Sequence, residues 1–517
     1  MSMTANRPLP TRGRPYAPPL SAAERAARRA ARQARSTWIM NGMALFLPMA
    51  MGLQVEAIGR LYVAEFLMLL VLPMLVIDRG GMLMAALPKT VLILAAAWLG
   101  GQIVTDLVNG TPYADYSRGW ARIVFFLLAF SVTYMLVYGN RRRIVLFAIG
   151  LSIGYMASLY LYPSEAILAD PWKFGYGIPV TTLGVVLALS PLFRRVSVFP
   201  VAILGALGVL NMVLGLRSLA GVCFMTALYL VAQLIFGKKG EKVTPPTNVR
   251  LVFMLIVGIA AVWAVIAAYE YAALEGLLGD DARDKYIDQT AEGYGVLLGG
   301  RHELLVSAQA IADSPILGHG SWAKDPLYAE MLMAMTRSPD EALEAAWFGD
   351  LIPTHSYLTG SWVEAGILGG VFWIFVLFLV TKVLANLFQA RDALSPLYVF
   401  LALQLVWDVL FSPFGADRRI MAGYQIALMI FAWEGLKGYA ERAKQIRRIR
   451  RAARKALKPR LGGPPRGGAQ RPLPNPRLMR RPPPNVATLP RPSARAAQRA
   501  ETASTADEDA PGHSGAS

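Results

Sequence analysis

The residues best equipped for chemistry gather between positions 300 and 370, where GRHELLVSAQAIADSPILGHGSW is followed by an acidic run and then by PTHSYLTGSWVEAGILGGVFW. Residues 367–380 carry no charge and are mostly apolar, so the second segment runs into a membrane helix and holds Thr354, His355 and Ser356 at the boundary with water. A neutral imidazole accepts a proton near physiological pH, which suits His355 to activating a hydroxyl as general base. The alternative is an anchor that caps the helix through Ser356 and the ring. Of the other histidines, His302 and His319 fall in the preceding segment, His319 inside a glycine-flanked tight turn, and His513 lies near the C-terminus.

Four arginines stand where a membrane chain places positive charge reluctantly. They are Arg217 in VLGLRSLAG, Arg301 at the head of the segment above, and Arg418 with Arg419 in FSPFGADRR. Arginine at a membrane boundary is costly unless it pairs or snorkels, and its planar fork of donors suits phosphate oxygens. Arg217 reads either as a span-end anchor or as a ligand-binding group, and Arg301 as either an ion-pair partner within the acidic segment or a ligand-binding group. Asp417 precedes Arg418 and Arg419, which favours an interfacial cluster paired with that carboxylate. No HExxH, no Cys/His cluster and no phosphate-cradling glycine loop occurs, so neither metal nor nucleotide chemistry has support. The single cysteine, Cys223, sits in an apolar run and reads as a small buried hydrophobe.

The elements that must hold these residues are membrane helices. Of 517 residues 55% are hydrophobic and 17% charged, and the apolar residues fall in blocks of membrane-spanning length divided by short polar punctuation. Candidate spans lie at about 38–53, 61–77, 87–107, 119–138, 143–161, 179–193, 197–215, 218–236, 251–270, 357–381, 395–411 and 420–436. The expectation is an all-α polytopic protein of about twelve transmembrane helices.

The net charge of +18 sits at the ends: residues 1–35 hold eight Arg against one Glu, and residues 437–500 hold nineteen Lys or Arg against one Glu. Basic segments beside spans read as cytoplasmic topology signals that also touch anionic membrane lipid, and no aromatic-interleaved basic fold points to nucleic acid. With the N-terminus inside, each inside loop carries positive charge, through Arg79 and Lys89, Arg141 to Arg143, Arg194 and Arg195, Lys238, Lys239 and Lys242, then Lys382 and Arg391. Residues 271–354, with fourteen acidic against five basic residues, are then a large extracytoplasmic, helix-compatible loop, too long for a mere connection. The predicted organisation is a basic, disordered or juxtamembrane cytoplasmic segment at 1–36, a membrane domain at 37–436, and a basic, Pro-rich disordered cytoplasmic tail at 437–517.

With these residues in view, the chain resembles the O-antigen ligase and O-antigen polymerase superfamily of bacterial membrane glycosyltransferases. The resemblance rests on Arg301, His302, Glu303, Leu304 and Leu305 as an R-x-x-x-L element, on Pro315, Leu317, Gly318 and Gly320 as the following turn, and on His355, Ser356, Gly366 and Gly369. The last group fits a pattern of His, then Asn or Ser, then nine residues, then Gly-x-x-Gly. Arg217 with Ser218 looks like the family's arginine between two central spans, although Leu216 stands where the family more often has Ser.

The resemblance implies a fold related to the lipid-linked-sugar (GT-C type) glycosyltransferases. It also implies an inverting, metal-independent transfer of glycan from a polyprenyl diphosphate at the periplasmic face of the bacterial inner membrane, with no cofactor. In that implication His355 is the catalytic group, Arg217 and Arg301 bind the diphosphate, and Arg418, Arg419 and His319 are possible additions. The acceptor is another lipid-linked glycan if the protein is an O-antigen or exopolysaccharide polymerase, the reading favoured here, or lipid A core if it is a ligase. A multi-span transporter or lipid flippase is the reading from another class, and it predicts pseudo-repeated halves, which this sequence does not display.

Overall fold

The computed structural model describes residues 22–57, 59–190, 198–236, 258–290 with short breaks, 301–335, 349–388 and 392–436. The N-terminal residues 1–21, the tail 437–517, loop residues 291–300 and 336–348, and the basic positions Arg194, Arg195, Lys238, Lys239, Lys242 and Arg391 lie outside them.

The chain begins with α1 (Ala22–Met49), whose first turns are basic and whose last are apolar. A short antiparallel hairpin follows, Gln54–Ala57 pairing with Gly59–Tyr62. The sequence reading had only a connection there. Alternation in QVEA and GRLY, and Gly59 at φ 70°, account for the hairpin. It leads into α2 (Val63–Arg79), α3 (Ala86–Asn109), α4 (Tyr113–Val137) and α5 (Arg141–Leu161). After the short α6 (Glu165–Ala169) come α7 (Gly177–Ala188), α8 (Phe199–Val213) and α9 (Arg217–Phe236).

Among its described residues the acidic segment holds the helices α10 (Asp280–Thr290), α11 (His302–Asp313) and α12 (Pro326–Met335), with a non-helical turn between the last two. It has its own apolar cluster, in which Val306, Ala310, Tyr328, Leu332 and Ile352 pack on Val363. Then come α13 (Tyr357–Leu387), α14 (Ser395–Phe411) and a last helix over residues 419–436.

Among the described residues six segments are long and apolar enough to cross a membrane: Val63–Met84, Ala86–Asn109, Tyr113–Val137, Arg141–Leu161, Arg217–Ile235 and Tyr357–Leu387. Phe199–Val213 and Ser395–Phe411 are apolar but shorter. The architecture is that of an all-α membrane protein. Helices α3, α4 and α13 and the turn after α14 share an aromatic centre, since Trp98 stacks on Phe372 at 5.3 Å, Phe126 lies 5.5 Å from Phe372, and Trp373 lies 4.9 Å from Tyr357 and 5.2 Å from Phe414. Such pairs contribute about 0.5–1.5 kcal/mol each beyond area burial. Between helices in lipid, where apolar burial drives little, that geometric term fixes which faces meet. Cys223 is buried and free in α9, as its apolar surroundings predicted.

Candidate functional site

Helix α13 is two helices joined at a fold-back. Gly366, at φ 61° and ψ −153°, interrupts it, leaving a short leg over 357–365 and a long one over 367–387. The legs touch: the Trp373 indole donates to Ser361 Oγ at 2.9 Å, and the rings of Tyr357 and Trp373 lie 4.9 Å apart. Residues twelve apart in a straight helix would be separated by about 18 Å, so this contact requires the chain to reverse. Trp373 is six residues past Ile367, which sets the Tyr357 ring about 9 Å below the fold-back along the long leg. His355, which the sequence reading puts at the mouth of the span, stands two residues before the short leg begins.

A glycine turn sets the fold-back in place. The short leg ends with carbonyls that a continuous helix would have satisfied, and the backbone N–H groups of His319 and Gly320 donate to Val363 O at 2.7 Å and Glu364 O at 3.1 Å. Ile367 N–H donates in turn to Ile316 O at 3.2 Å. Gly318 and Gly320 reach these positions at φ 84° and 95°, and a Cβ on Gly366 would overlap the carbonyl of Ile316.

Helix α3 grips the other side of the turn. Asp106 accepts from Ser321 N–H at 2.6 Å, from Ser321 Oγ–H at 2.7 Å and from the Trp120 indole at 2.8 Å. Thr105 donates to Leu317 O, and Arg122 pairs with Glu364. His319 belongs to this assembly: Nε2 meets Ala310 O at 2.8 Å and the ring lies edge-on to Tyr328 at 5.7 Å. The motif PILGHGSW therefore has a positional role, and Asp106, Arg122, Ser321 and Glu364 are parts of it that sequence reasoning missed.

Below the fold-back the short leg starts at Ser356, whose Oγ accepts from Thr359 N–H at 2.9 Å and donates to Val409 O at 3.0 Å. This ties His355 to the end of α14. Arg301, at the N-cap of α11, reaches the same end, where Nη1 donates to Phe411 O at 2.7 Å and the guanidinium lies 5.5 Å from the ring centroids of Trp407 and Phe411. Arg418, in the turn after α14, lies 3.1 Å from Asp417 and 3.5 Å from Asp408. Burial, and then the charges of Arg301 and Arg418, push the His355 imidazole down to about 4 from its usual value of 6.5. The ring is therefore neutral at pH 7, and among the described residues nothing hydrogen-bonds to it. Close by, Tyr357 Oη and Asp408 Oδ2 are buried without a hydrogen-bond partner among the described residues.

The remaining candidates divide. Arg419 turns away from its neighbour to Glu65, with Nε–Oε1 at 2.8 Å and both side chains buried, and it also donates to Arg60 O at 2.9 Å. Glu65 in turn accepts from Tyr62 N–H at 2.9 Å and closes the first turn of α2. The expected pairing with Asp417 thus holds for Arg418 only, and Arg419 is a structural tie between the last helix and the hairpin. Arg217 starts α9 and donates to the Tyr269 hydroxyl, with its guanidinium 5.4 Å from that ring. Its described contacts are with this tyrosine, which packs on Tyr286 at 6.2 Å, and none joins it to His355 or Arg301.

Sequence reasoning also passed over Asp408, the single charge in the otherwise apolar SPLYVFLALQLVWDVLF. An acid at that depth demands a partner, and that cost was the signal. Among the described residues no group of three His, Cys, Asp or Glu side chains is placed to hold a metal ion. Comparison with family models, with curated proteins and with solved structures gives no match.

Proposed function

We propose that this protein transfers a glycan from a polyprenyl diphosphate to an acceptor sugar hydroxyl at the extracytoplasmic face of the bacterial inner membrane, acting as a polysaccharide polymerase. The observation that carries the proposal is the meeting of a neutral imidazole, unbonded among the described residues, with two guanidinium groups, His355 with Arg301 and Arg418. In this reading His355 takes the proton of the attacking hydroxyl while Arg301 holds the departing diphosphate. The anomeric C–O bond to phosphate breaks as the new glycosidic bond forms, with inversion. Arg217 binds the diphosphate with Arg301, from α9, a role that requires α9 and the His355 end to meet on the donor. The covering segment 271–354 excludes water, so that transfer outruns hydrolysis. About twelve spans, cytoplasmic termini and a fold of the GT-C type belong to the same proposal.

The test is complementation of a deletion strain with wild-type protein, His355→Ala and Arg301→Ala, comparing surface glycan with protein level in the membrane. The proposal expects short, unpolymerised glycan in both variants at normal protein level. Long glycan missing from lipid A core but still present on the prenyl carrier would instead assign a ligase. Unchanged glycan in both variants would overturn glycosyl transfer at this site.

A further inference from the structure

Beside Arg418, on the side lined by α5 and α7, is a cavity of about 20 Å³. Ser152, Tyr155, Asp417 and Arg418 supply its polar wall, over a floor that includes Leu151 and Met421. A space of this size takes one hydroxyl-sized group and no sugar ring. Ser152 is 2% exposed, and its Oγ finds no hydrogen-bond partner among the described residues. A buried hydroxyl left so costs stability unless something arrives to bond it.

The charge around the cavity decides what that something is. Asp417 and Arg418, the charged groups of the wall, lie 3.1 Å apart and offset each other. A diphosphate brought here would meet no net positive charge. A neutral hydroxyl meets complementary groups: Asp417 accepts its proton, and Ser152 donates to its oxygen. Tyr155 is held toward the cavity by its own hydroxyl, which donates to Asp417 Oδ2 at 3.4 Å. Arg418 is common to this wall and to the surroundings of His355.

We infer that the Ser152–Tyr155–Asp417–Arg418 cavity is a specificity pocket that receives one hydroxyl or hydroxymethyl group of the acceptor sugar, apart from the arginine that holds the diphosphate. The inference rests on the glycosyl-transfer reading, and it gives Arg418 a positioning role toward the acceptor in place of a phosphate-binding one. Ser152 then determines specificity. The pocket fixes the acceptor ring by one substituent, and the hydroxyl that attacks is a different one, presented to His355.

Binding can test this without turnover. The full-length protein in lipid nanodiscs is titrated with a panel of methyl hexopyranosides, with their counterparts lacking one hydroxyl at each position in turn, and separately with inorganic pyrophosphate, each followed by intrinsic tryptophan fluorescence. The expected result is a hexoside that binds roughly tenfold more tightly than one of its deoxy counterparts, as one buried hydrogen bond allows. Ser152→Val should abolish that preference and leave pyrophosphate binding unchanged, and Ser152→Thr should restore it, which guards against a variant that merely misfolds. Hexoside binding indifferent to Ser152→Val means that the cavity holds a trapped water only, and overturns the inference. Pyrophosphate binding lost in Ser152→Val, or no hexoside binding at all, overturns it equally. Glycosyl transfer itself stands or falls separately, on the glycan made by the His355→Ala and Arg301→Ala strains.

Discussion

The two faces of the fold-back at Gly366 handle polar groups differently, although each leaves buried atoms unbonded among the described residues, Gln102 Oε1 and Arg122 Nε among those above. Above it the Asp106 carboxylate accepts from Ser321 and Trp120, the broken helix has its carbonyls capped by His319 and Gly320, and Glu364 is paired with Arg122. Below it the His355 ring is unbonded among the described residues, and Tyr357 Oη and Asp408 Oδ2 are buried without partners there. Each buried polar group left open costs free energy. In the proposed function the upper face is the clamp, and the lower face is the site that the clamp holds.

Replacing one residue from each face separates these roles. His355→Ala should lower glycan transfer by roughly 10² to 10⁴ per folded molecule while the protein inserts and melts as the wild type does. Near-normal turnover would return His355 to an anchoring role and dissolve the contrast. Gly366→Ala should act the other way. Its φ of 61° suits a Cβ poorly and the Cβ would overlap the Ile316 carbonyl, so a loss of about 2–4 kcal/mol is expected, read as low membrane protein level and early proteolysis. A well-folded Gly366→Ala protein would show that the reversal is not needed.

Asp106→Ala is a gentler test of the clamp. It strands the N–H and hydroxyl of Ser321 and the Trp120 indole, for an expected cost of about 2–3 kcal/mol in thermal unfolding. Specific activity of the protein that remains should change little. A Tm held at the wild-type value with activity lost would move Asp106 from clamp to site.

How much of this was legible in the sequence depends on the range of the interaction. The helices were, since an uncharged run such as residues 367–380 has no alternative in lipid. The motif PILGHGSW stood out as a turn because Gly318 and Gly320 punctuate it. What the turn grips was not legible: Asp106 is 215 residues from Ser321, and nothing local marks them as partners. Gly366 stands in the sequence only as one position of a Gly-x-x-Gly pattern, and its positive φ emerges only from the tertiary fold-back. Arg418 and Arg419 looked alike as neighbours, yet successive residues around a helical turn point about 100° apart. That rotation sends one to Asp408 and Asp417 and the other to Glu65. Asp408 was legible by its cost in an apolar helix, and it was overlooked.

The smallest effect expected is on pH dependence, and it asks whether the lower face works as one electrostatic unit. Burial, then Arg301 and Arg418, hold His355 at about 4, and a base works only when unprotonated. The kcat/KM of the free enzyme should therefore stay level below neutrality and fall only as pH drops through about 4. Donor binding brings the negative diphosphate to Arg301, offsets its repulsion of the imidazolium, and raises the His355 pKa. The acid limb of kcat, which reports the complex, should then lie at higher pH than that of kcat/KM. Arg301→Gln removes one positive neighbour and should move the kcat/KM limb upward, whereas Asp106→Ala should leave it in place. Initial rates across pH in both variants measure this. Coincident limbs, with no movement in Arg301→Gln, would detach His355 from the arginine field and leave burial alone to account for its low pKa.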